Sequence, residues 1–256
     1  MSTSNDYMLS SVKNALRILQ AFKMDKPQKG VRELAAELGI GKSSVQRILA
    51  TLASEGFVTK DIETNKYQLG VSVMELNSIV LSHHDLHQEA LPIIKNLVER
   101  CNETSHLVVF SNQEIVYLSK EEGKNSTPIE THPGRHNYPH CTSSGKILLA
   151  HGDPSIVESM IQAGLTKVSA NTITDPITLQ NELAAIRKNG YAKSFGEYTI
   201  SVNSVAAPVR DYTGKVVAAI NLVGPSSRMS KQRMQHFATE LIQAGRIISE
   251  KLGYSY

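Results

Sequence analysis

Apolar residues in the first part of the chain recur every three or four positions, as they do in helices that bury one face. This spacing predicts three short helices, at residues 11–22, 31–38 and 42–52. Ser10 or Ser11 is placed to cap the first helix, and Gly39 ends the second. The sequence therefore predicts a first helix followed by two more that are joined steeply through a turn containing glycine.

Two runs rich in β-forming residues follow the third helix, at residues 56–60 and 66–69. The polar segment 61–65 between them is typical of a hairpin turn. A two-stranded hairpin after three helices indicates a wing. We therefore expect residues 1–70 to form a winged helix-turn-helix domain.

The rest of the chain mixes helical and strand-like patterns. Residues 71–81 are more apolar than an isolated short helix needs, which favours helix packing across a subunit interface, or else within one chain. Further helices are predicted at residues 86–101, 142–150, 154–162, 178–189 and 230–252. Strands are predicted at residues 105–110, 114–119, 191–195, 204–209 and 216–223. The predicted fold class is therefore α+β, and the second domain is built around one sheet.

The third predicted helix has a polar face that suits DNA. Its apolar Val45, Ile48 and Leu49 are expected to point into the domain. Five residues then point outward: Lys42, Ser43, Ser44, Gln46 and Arg47. Glutamine and arginine can read base edges through paired hydrogen bonds, whereas the lysine and serines suit phosphate contacts. The wing adds three predicted contacts beside the DNA backbone: Lys60, Asn65 and Lys66. The alternative is an ordinary solvated helix face.

The distribution of charge gives weak support for this assignment. The net charge of +3 lies entirely in residues 1–70, which contain ten Lys or Arg against seven Asp or Glu. Residues 71–256 contain seventeen of each. A difference of three charges decides little by itself, so the pattern along the third helix carries the prediction.

Composition limits the class of protein. With 256 residues, 41% hydrophobic and 20% charged, the chain has room for two ordinary soluble domains. No apolar run approaches the ~18 residues that cross a bilayer, and residues 1–9 lack the apolar core of a signal peptide. We therefore expect a cytoplasmic protein with no membrane partner. Cys101 and Cys141 form no Cys-x-x-Cys pair, so reduced thiols are expected.

Segments of both domains carry a resemblance to a known family. Those of the first domain are SVKNALRILQ (11–20), LAAELG (34–39), KSSVQRIL (42–49) and LASEGFV (52–58). Those of the second are HCTSSGKILLA (140–150), GE (196–197), VAAPV (205–209), GKVVAAI (214–220), GP (224–225) and LGY (252–254). In these segments the chain resembles the IclR family of bacterial transcription regulators.

The resemblance implies a winged helix-turn-helix, a linker helix at residues 71–84 and a C-terminal α/β domain at residues 85–256. That second domain would be similar to GAF sensor domains and would bind a small metabolite. Regulators of the family work as dimers or dimers of dimers. The expected partners are therefore double-stranded operator DNA, a small-molecule effector and further copies of the chain, with neither a cofactor nor an enzymatic activity.

Eight residues are the predicted effector contacts: Ser143, Ser144, Gly145, Ser194, Val202, Ser204, Asn221 and Val223. Most of them follow from the resemblance, and two features of the sequence agree with it. The predicted helix that begins at residues 142–145 offers hydroxyls and backbone N–H groups, which suit a carboxylate. Ser204 and Asn221 interrupt otherwise apolar strands, as expected of a pocket that orients its ligand with few hydrogen bonds. The expected effector is a small organic acid.

Two departures from the family pattern concern the ligand. Ser194 stands where the family often has an acid, and Ser201 and Asn203-Ser204 stand where it often has Gly and Arg-Cys. The ligand of other members therefore cannot be transferred to this chain. For each serine, a role in a helix cap or a turn is the alternative.

Catalysis and ATP binding are two alternatives to this interpretation. Adjacent residues such as His140 and Cys141 point to opposite faces of a strand, which argues against a shared proton and a catalytic pair. Residues 143–146 resemble a phosphate-binding loop, but that motif needs glycine at position 140 and a hydroxyl residue at position 147. Neither catalysis nor ATP binding is predicted.

Two histidine clusters contain residue types that can bind metals. They are His132, His136 and His140 with Cys141, and His83, His84 and His87. Neither spacing matches a structural zinc motif, and Pro133, Gly134 and Pro139 break any helix that would align the first cluster. No metal site is predicted.

The sequence therefore predicts a transcription regulator in which a bound metabolite shifts the arrangement of the subunits, and so the spacing of the winged helices and the affinity for the operator. The alternative is a constitutive, architectural DNA-binding protein whose second domain only oligomerises.

Overall fold

The computed structural model describes residues 9–23, 25–82, 85–124 and 131–255. The interpretations placed on residues 1–8, His83 and His84 fall outside these ranges. The described residues form two compact units, divided after residue 83. Within these ranges no helix is both long and apolar enough to cross a membrane.

The first unit contains three helices, a hairpin and a fourth helix. Its elements are α1 (Ser10–Ala21), α2 (Val31–Leu38), α3 (Lys42–Ser54), β1 (Val58–Lys60), β2 (Tyr67–Leu69) and α4 (Val71–Ser82). Strands β1 and β2 pair antiparallel, with Thr59 opposite Gln68. The prediction of an N-terminal helix-turn-helix, followed in the sequence by a β hairpin, is confirmed.

Gly39 forms the turn between α2 and α3. Its φ of +65° is left-handed, and its N–H donates to the carbonyl of Ala35. The N–H of Ile40 donates to the same carbonyl at 3.1 Å. Because glycine adopts this backbone at little cost, α2 ends within one residue, and α3 starts three residues after Gly39.

A small core holds the three helices against the hairpin. Ile18, Leu34, Val45 and Leu49 are completely buried there, with Val58 of β1 nearly so. The backbone of Lys29 adds a third, single-residue strand to the hairpin through two 2.9 Å hydrogen bonds with Tyr67. The hairpin is therefore fixed to the segment between α1 and α2 as well as to α3.

The start of α4 is locked to the end of α3 by a close backbone approach. A Cβ at Gly70 would collide with the carbonyl of Gly56, so a glycine is required there. The hydroxyl of Ser72 donates to the carbonyl of Glu55 at 3.0 Å, and its N–H donates to Gly56 at 3.3 Å. Helix α4 therefore leaves the hairpin in a direction set by α3.

The second unit surrounds one sheet with helices. Its elements are α5 (Asp85–Cys101), β3 (Thr104–Ser111), β4 (Glu114–Glu121), β5 (His136–Asn137), a 3-10 turn (Pro139–Cys141), α6 (Ser143–His151), α7 (Pro154–Ala163), α8 (Pro176–Asn189), β6 (Ala192–Phe195), β7 (Val202–Arg210), β8 (Val216–Pro225) and α9 (Lys231–Lys251). The strand order is β5-β4-β3-β8-β7-β6, and every pair is antiparallel. The predicted fold class is confirmed, while the similarity to GAF sensor domains stays a prediction.

The two faces of this sheet carry separate cores. Leu107, Val205 and Ile220 point to the face covered by α5 and α9. Val108, Ala206 and Ala219 point to the opposite face, covered by α6, α7 and α8. Because side chains alternate along a strand, β3, β7 and β8 each supply both cores.

Two elements were not predicted, and several boundaries differ from the sequence prediction by one or two residues. Strand β5 and the 3-10 turn at Pro139–Cys141 were not predicted, because a two-residue strand is too short to show a period. Helix α8 begins earlier than predicted, at Pro176, since Asp175 caps it by accepting from the Thr178 N–H at 2.7 Å. Strand β7 begins at Val202, two residues before the predicted start.

Candidate DNA-binding face and effector cavity

Helix α3 presents a polar face to solvent at its N-terminal half. All five residues predicted to face outward are exposed: Lys42, Ser43, Ser44, Gln46 and Arg47. Val45 and Leu49 are completely buried, and Ile48 is half-buried. The first turn of α3 has no side-chain cap, so this helix end also presents backbone dipoles that suit a phosphate.

The hairpin places the remaining predicted DNA contacts at the surface. Lys60, Asn65 and Lys66 are all exposed. Asn65 has a φ of +56°, which turns the chain back into β2. The carboxylate of Asp61 accepts the N–H groups of Thr64 at 3.0 Å and Glu63 at 2.9 Å, which lowers the pKa of Asp61. The tip of the hairpin is therefore a folded turn that holds the two lysines at its base.

A cavity of about 100 Å³ lies in the second unit, on the α6 face of the sheet. It is lined by His106, Tyr117, Thr131, Arg135, Asn137, Cys141, Thr142, Ser194, Tyr198, Thr199, Val202, Ser204, Asn221 and Val223. Every strand of the sheet contributes to it, together with the connections at the two sheet edges and the start of α6. The cavity is thus formed by residues far apart in the sequence.

The register of the strands brings the polar floor of the cavity together. His106 of β3 pairs with Asn221 of β8, and Ser204 of β7 pairs with both Val223 of β8 and Ser194 of β6. These residues continue the rows that carry apolar side chains beneath α6 further along the strands. One face of the sheet therefore changes from apolar to polar where α6 begins.

Asn221 fixes the protonation of the His106 ring. Its Oδ1 lies 2.9 Å from the backbone N–H of His106 and 3.0 Å from Nδ1. Because an amide oxygen only accepts, Nδ1 carries the hydrogen and Nε2 accepts from the Thr131 hydroxyl at 2.7 Å. Burial lowers the pKa of His106 from 6.5 to about 4, so the ring is neutral at pH 7.

Among the described residues that line the cavity, Arg135 is the one that is positively charged at neutral pH, since the His106 ring is neutral. Its backbone is held against β4, where its carbonyl accepts from the Tyr117 N–H at 3.3 Å. Its Nη2 donates to the Tyr198 hydroxyl at 3.4 Å. Tyr198 lies between β6 and β7, at the opposite edge of the sheet, so this contact spans the cavity mouth.

Five of the eight predicted effector residues line the cavity: Ser194, Val202, Ser204, Asn221 and Val223. The Ser143 hydroxyl lies behind them and donates to Ser204 Oγ at 2.8 Å. Ser144 and Gly145 do not line it. A Cβ at Gly145 would collide with Pro139, so this glycine allows the 3-10 turn to approach α6.

At the start of α6, the N-cap residue Thr142 lines the cavity, whereas Ser143 and Ser144 do not. Thr142 Oγ1 accepts from the Gly145 N–H at 3.1 Å, and Thr142 itself lines the cavity with Cys141. The predicted carboxylate site at this helix end stays a prediction. In the structure it lies beside the cavity, and its N-cap side chain already has a partner.

A buried ion pair supports the loop that carries Tyr198. Lys146 of α6, about 1% exposed, donates to Glu197 at 2.8 Å and to Glu182 of α8 at 3.1 Å. The carbonyl of Glu197 accepts from the Thr172 hydroxyl at 2.7 Å. The Gly196-Glu197 pair of the sequence motif is therefore tied to two helices, directly beside two residues that line the cavity.

Sequence reasoning did not single out the other residues of the cavity as effector contacts. Among them, His106 and Tyr117 lie on strands whose positions were predicted, but their alternation alone does not say which face holds a ligand. Arg135 and Tyr198 lie in irregular segments that have no period. What the sequence offered for Arg135 and Tyr198 was their residue type, since each lies next to a segment that carries the family resemblance.

His140 and Cys141 do not form a nucleophilic pair. Burial raises the pKa of Cys141 to about 12 and lowers that of His140. The Nε2 of His140 lies 2.9 Å from the Thr166 carbonyl and donates to it. The thiol is therefore protonated at neutral pH, and the imidazole is directed at a carbonyl.

The histidines of the first cluster considered as metal ligands form no metal-binding group in the part of the chain that the structure describes. No group of three His, Cys, Asp or Glu side chains within the described ranges could hold a metal ion. His136 pairs instead with Glu114 at 2.9 Å on the surface.

Comparisons with known proteins cover nearly all of the chain. The family model of the IclR helix-turn-helix domain matches residues 11–61, and that of the C-terminal region of the bacterial transcriptional regulator IclR matches residues 78–250. The chain is 30% identical over 248 residues to the HTH-type transcriptional regulator XynR of Escherichia coli (strain K12), which covers 96% of this chain and 98% of that one. That relative is a transcriptional regulator.

Solved structures of other proteins match this chain over nearly its whole length. An IclR transcriptional regulator from Alicyclobacillus acidocaldarius matches with a TM-score of 0.88 at 25% identity, over 96% of this chain and 100% of that one. An IclR homolog from Microbacterium hydrocarbonoxydans, solved in complex with 4-hydroxybenzoate, matches with a TM-score of 0.85 at 25% identity. That match covers 95% of this chain and 99% of the homolog.

Proposed function

This chain belongs to the IclR family of bacterial transcriptional regulators, and we propose that a small carboxylate, bound in the cavity of the second unit, controls its affinity for operator DNA. The observation that carries the proposal is the cavity itself. Nine of the described lining side chains carry a hydroxyl or an amide group. A lining of this kind can orient a small ligand with a few hydrogen bonds, which favours a sensor over a domain that only oligomerises.

The DNA contacts follow from the exposed face of α3 and the base of the hairpin. We assign Gln46 and Arg47 to base edges in the major groove, and Lys42, Ser43 and Ser44 to phosphates. We assign Lys60, Asn65 and Lys66 to the backbone beside the groove. Residues 1–70 then form the DNA-binding domain, residues 71–84 the linker and residues 85–256 the effector domain.

A carboxylate effector is supported by the arginine in the cavity and by one relative. The solved homolog from Microbacterium hydrocarbonoxydans holds 4-hydroxybenzoate, which is a carboxylate. In this chain, Ser194, Val202, Ser204, Asn221 and Val223 line the cavity. We assign them as effector contacts, and Ser143 as a residue that orients Ser204. Ser144 and Gly145 support the approach of α6 and stay outside the contact set.

The proposed regulator works as a homodimer or a dimer of dimers. Val71 and Leu76 are exposed on α4, which suits packing of this helix against a second copy. Two copies place two α3 helices on a pseudo-palindromic site, about 34 Å or a multiple of it apart. Because its partner is the bacterial operator, the proposed site of action is the cytoplasm.

Ligand binding would act by changing populations. A ligand that binds one arrangement of the subunits more tightly shifts the protein towards it by that difference in affinity. If the favoured arrangement spaces the two α3 helices differently, operator affinity changes with it. Regulation then requires no movement within α3 itself.

The test begins with the operator of the full-length protein. Binding sites are selected from random DNA, and affinity for the selected site is measured at fixed salt with and without small carboxylates, sugar acids and aromatic acids. Compounds that raise the melting temperature are carried forward. We expect at least one of them to change operator affinity. Arg47→Ala should weaken the selected site by about 1–3 kcal/mol and relax base preference.

Two variants separate effector control from DNA binding. Ser204→Leu fills the cavity and should keep operator binding while losing the response to the compound; Ser227→Leu, on the surface, should keep both. A full response in Ser204→Leu would contradict the assignment of the cavity. Operator binding that no compound changes would favour the constitutive DNA-binding protein.

A further inference from the structure

The hydrogen bonds around the cavity fix which of its polar side chains can donate to a ligand. We propose that Asn221, Ser204 and Tyr117 all present hydrogen-bond donors, and that they select the effector by a head group with two acceptor oxygens. A carboxylate has such a head group, whereas a carboxamide has one acceptor oxygen and an amidinium has none. This inference rests on the proposed function, because it concerns the ligand of the same cavity.

The amide of Asn221 is held with its nitrogen away from His106. Its Oδ1 lies 2.9 Å from the backbone nitrogen of His106, and a backbone N–H can only donate. The same oxygen accepts from Nδ1 of the His106 ring at 3.0 Å. Because this oxygen is taken up by His106, the Nδ2 end of the amide is the part of Asn221 left to line the cavity. His106 is therefore a positioning residue that makes Asn221 a donor to the ligand.

The hydroxyl of Ser204 is made a donor by Ser143. Ser143 is completely buried, and its Oγ lies 2.8 Å from Ser204 Oγ. A buried hydroxyl that lacks an acceptor is costly, so Ser143 donates its hydrogen to Ser204. Ser204 is half-buried and lines the cavity, which leaves its own hydrogen for the ligand. A hydroxyl that already accepts one hydrogen bond is also a stronger donor in the next.

The phenol of Tyr117 is the third donor. Asn137 Oδ1 accepts the backbone N–H of Tyr138 at 3.1 Å, so the Asn137 nitrogen faces the phenol and donates to it at 3.4 Å. The phenol oxygen thus receives one hydrogen bond, and its own hydrogen remains for another acceptor. Tyr117 is 5% exposed and lines the cavity beside His106, with the two ring centroids 4.9 Å apart.

Two other hydroxyls of the lining use their hydrogens within the protein. Ser194 Oγ donates to the Cys141 carbonyl at 3.3 Å, and Thr142 Oγ1 donates to the Tyr138 carbonyl at 3.5 Å. Both of these hydrogen bonds end on the segment that precedes α6. Among these five side chains, the hydrogens that remain for a ligand are therefore those on the sheet strands β4, β7 and β8.

Three donors on one face of the sheet fit a group that only accepts. The two oxygens of a carboxylate have about four lone-pair sites between them, and hydrogen bonds to an ionised acceptor are the stronger ones. A carboxamide replaces one oxygen by an NH2 group, and an amidinium replaces both. An N–H placed against another donor leaves two buried hydrogens without an acceptor, which weakens binding. The polarity of the wall therefore favours the carboxylate without any charged side chain.

The test uses two series of planar head groups and the full-length protein. One series is benzoate, benzamide and benzamidine; the other is propionate, propionamide and propionamidine. Within each series the shape is nearly constant while the number of acceptor atoms falls from two to none. In at least one series, calorimetry should show the carboxylate binding about tenfold or more tightly than the amide, and the amide more tightly than the amidine.

Two matched serine variants separate hydrogen-bond polarity from charge. Ser194 and Ser204 are paired across β6 and β7 and both line the cavity, but only Ser204 keeps its hydrogen for the ligand. Ser204→Ala should weaken the carboxylate about tenfold and reduce its advantage over the amide about threefold. Ser194→Ala should weaken the carboxylate at least threefold less. Ser227→Ala, on the surface, should leave both affinities unchanged.

Two further measurements concern Tyr117 and His106. Tyr117→Phe should weaken the carboxylate and reduce its advantage over the amide, as Ser204→Ala does. Nitrogen NMR of histidine-labelled protein should place the ring hydrogen of His106 on Nδ1, with the signal assigned by its loss in His106→Gln. A hydrogen on Nε2 instead would contradict the positioning role of His106 and overturn the inference.

Four binding results would also overturn it. They are binding of the amide or the amidine as tight as that of the carboxylate, an advantage over the amide that Ser204→Ala leaves unchanged, equal losses in the two serine variants, and no binding of either carboxylate. If one of these occurs while another carboxylate still changes operator affinity, the proposed function stands and only the selection by polarity fails. If a carboxylate binds with the expected preference but leaves operator affinity unchanged, the selection stands and the proposed function fails.

Discussion

Arg135 Nη2 donates a hydrogen bond to the Tyr198 hydroxyl at 3.4 Å. The two residues belong to opposite edges of the six-stranded sheet, since Arg135 precedes β5 and Tyr198 lies between β6 and β7. Their contact crosses the mouth of the cavity. The hydrogen bond thus joins residues from opposite edges of the sheet, and both of them line the cavity.

Tyr198→Phe should weaken binding of the proposed carboxylate effector about three- to tenfold, because the guanidinium of Arg135 loses one of the groups that orient it. Calorimetry on the full-length protein gives the affinity. Tyr212→Phe, in an exposed turn, is the matched control and should bind as the unchanged protein does. Equal affinities in both variants would show that Tyr198 does not position Arg135.

Asn221→Ala should lower the free energy of unfolding by about 2–4 kcal/mol, because the His106 N–H and Nδ1–H would both lose their acceptor in a buried place. Thermal and urea denaturation measure the loss. Asn189→Ala, at the exposed end of α8, should change the same quantity by less than about 0.5 kcal/mol. A loss as small as that in Asn221→Ala would mean that the His106 contacts add little.

The second unit should become less stable as pH falls from about 6.5 to about 4. In the folded protein burial lowers the pKa of His106 from 6.5 to about 4, so the unfolded chain takes up the proton first. Burial lowers the pKa values of His140 and His151 as well, which acts in the same direction. The His106 share amounts to about 3 kcal/mol.

Calorimetric melting of the full-length protein between pH 7 and pH 4 checks this dependence. His106→Gln should melt at a lower temperature at pH 7, and its stability should fall less steeply with acid. A slope equal to that of the unchanged protein would assign the acid sensitivity to other groups.

Lys60→Ala and Lys66→Ala should weaken DNA binding nearly equally for specific and nonspecific sites. Each should reduce the slope of log affinity against log salt by about 1, because each lysine releases about one counterion from a phosphate. Shift assays over a salt series measure both effects. Lys188→Ala, an exposed lysine of α8 in the other unit, is the control and should leave the slope unchanged. An unchanged slope in the first two variants would remove the hairpin from the DNA contacts.

The sequence by itself determined most of the elements and the chemistry of one surface. The apolar spacing of three and four residues in the third helix marked Val45 and Leu49 as inward and Gln46 and Arg47 as outward, and the structure places them so. It also marked Ser204 and Asn221 as polar exceptions on apolar strands, and both line the cavity. Such features are local, because helix and strand periods decide which side of an element a residue occupies.

Only the tertiary structure decided which residues meet at the cavity. His106 reaches Asn221 because β3 pairs with β8 in one register, across 115 residues of sequence. Arg135 reaches Tyr198 because the sheet curls and brings its two edges together. The register of distant strands and the path of an irregular segment depend on the packing of the whole unit, and no local period records them.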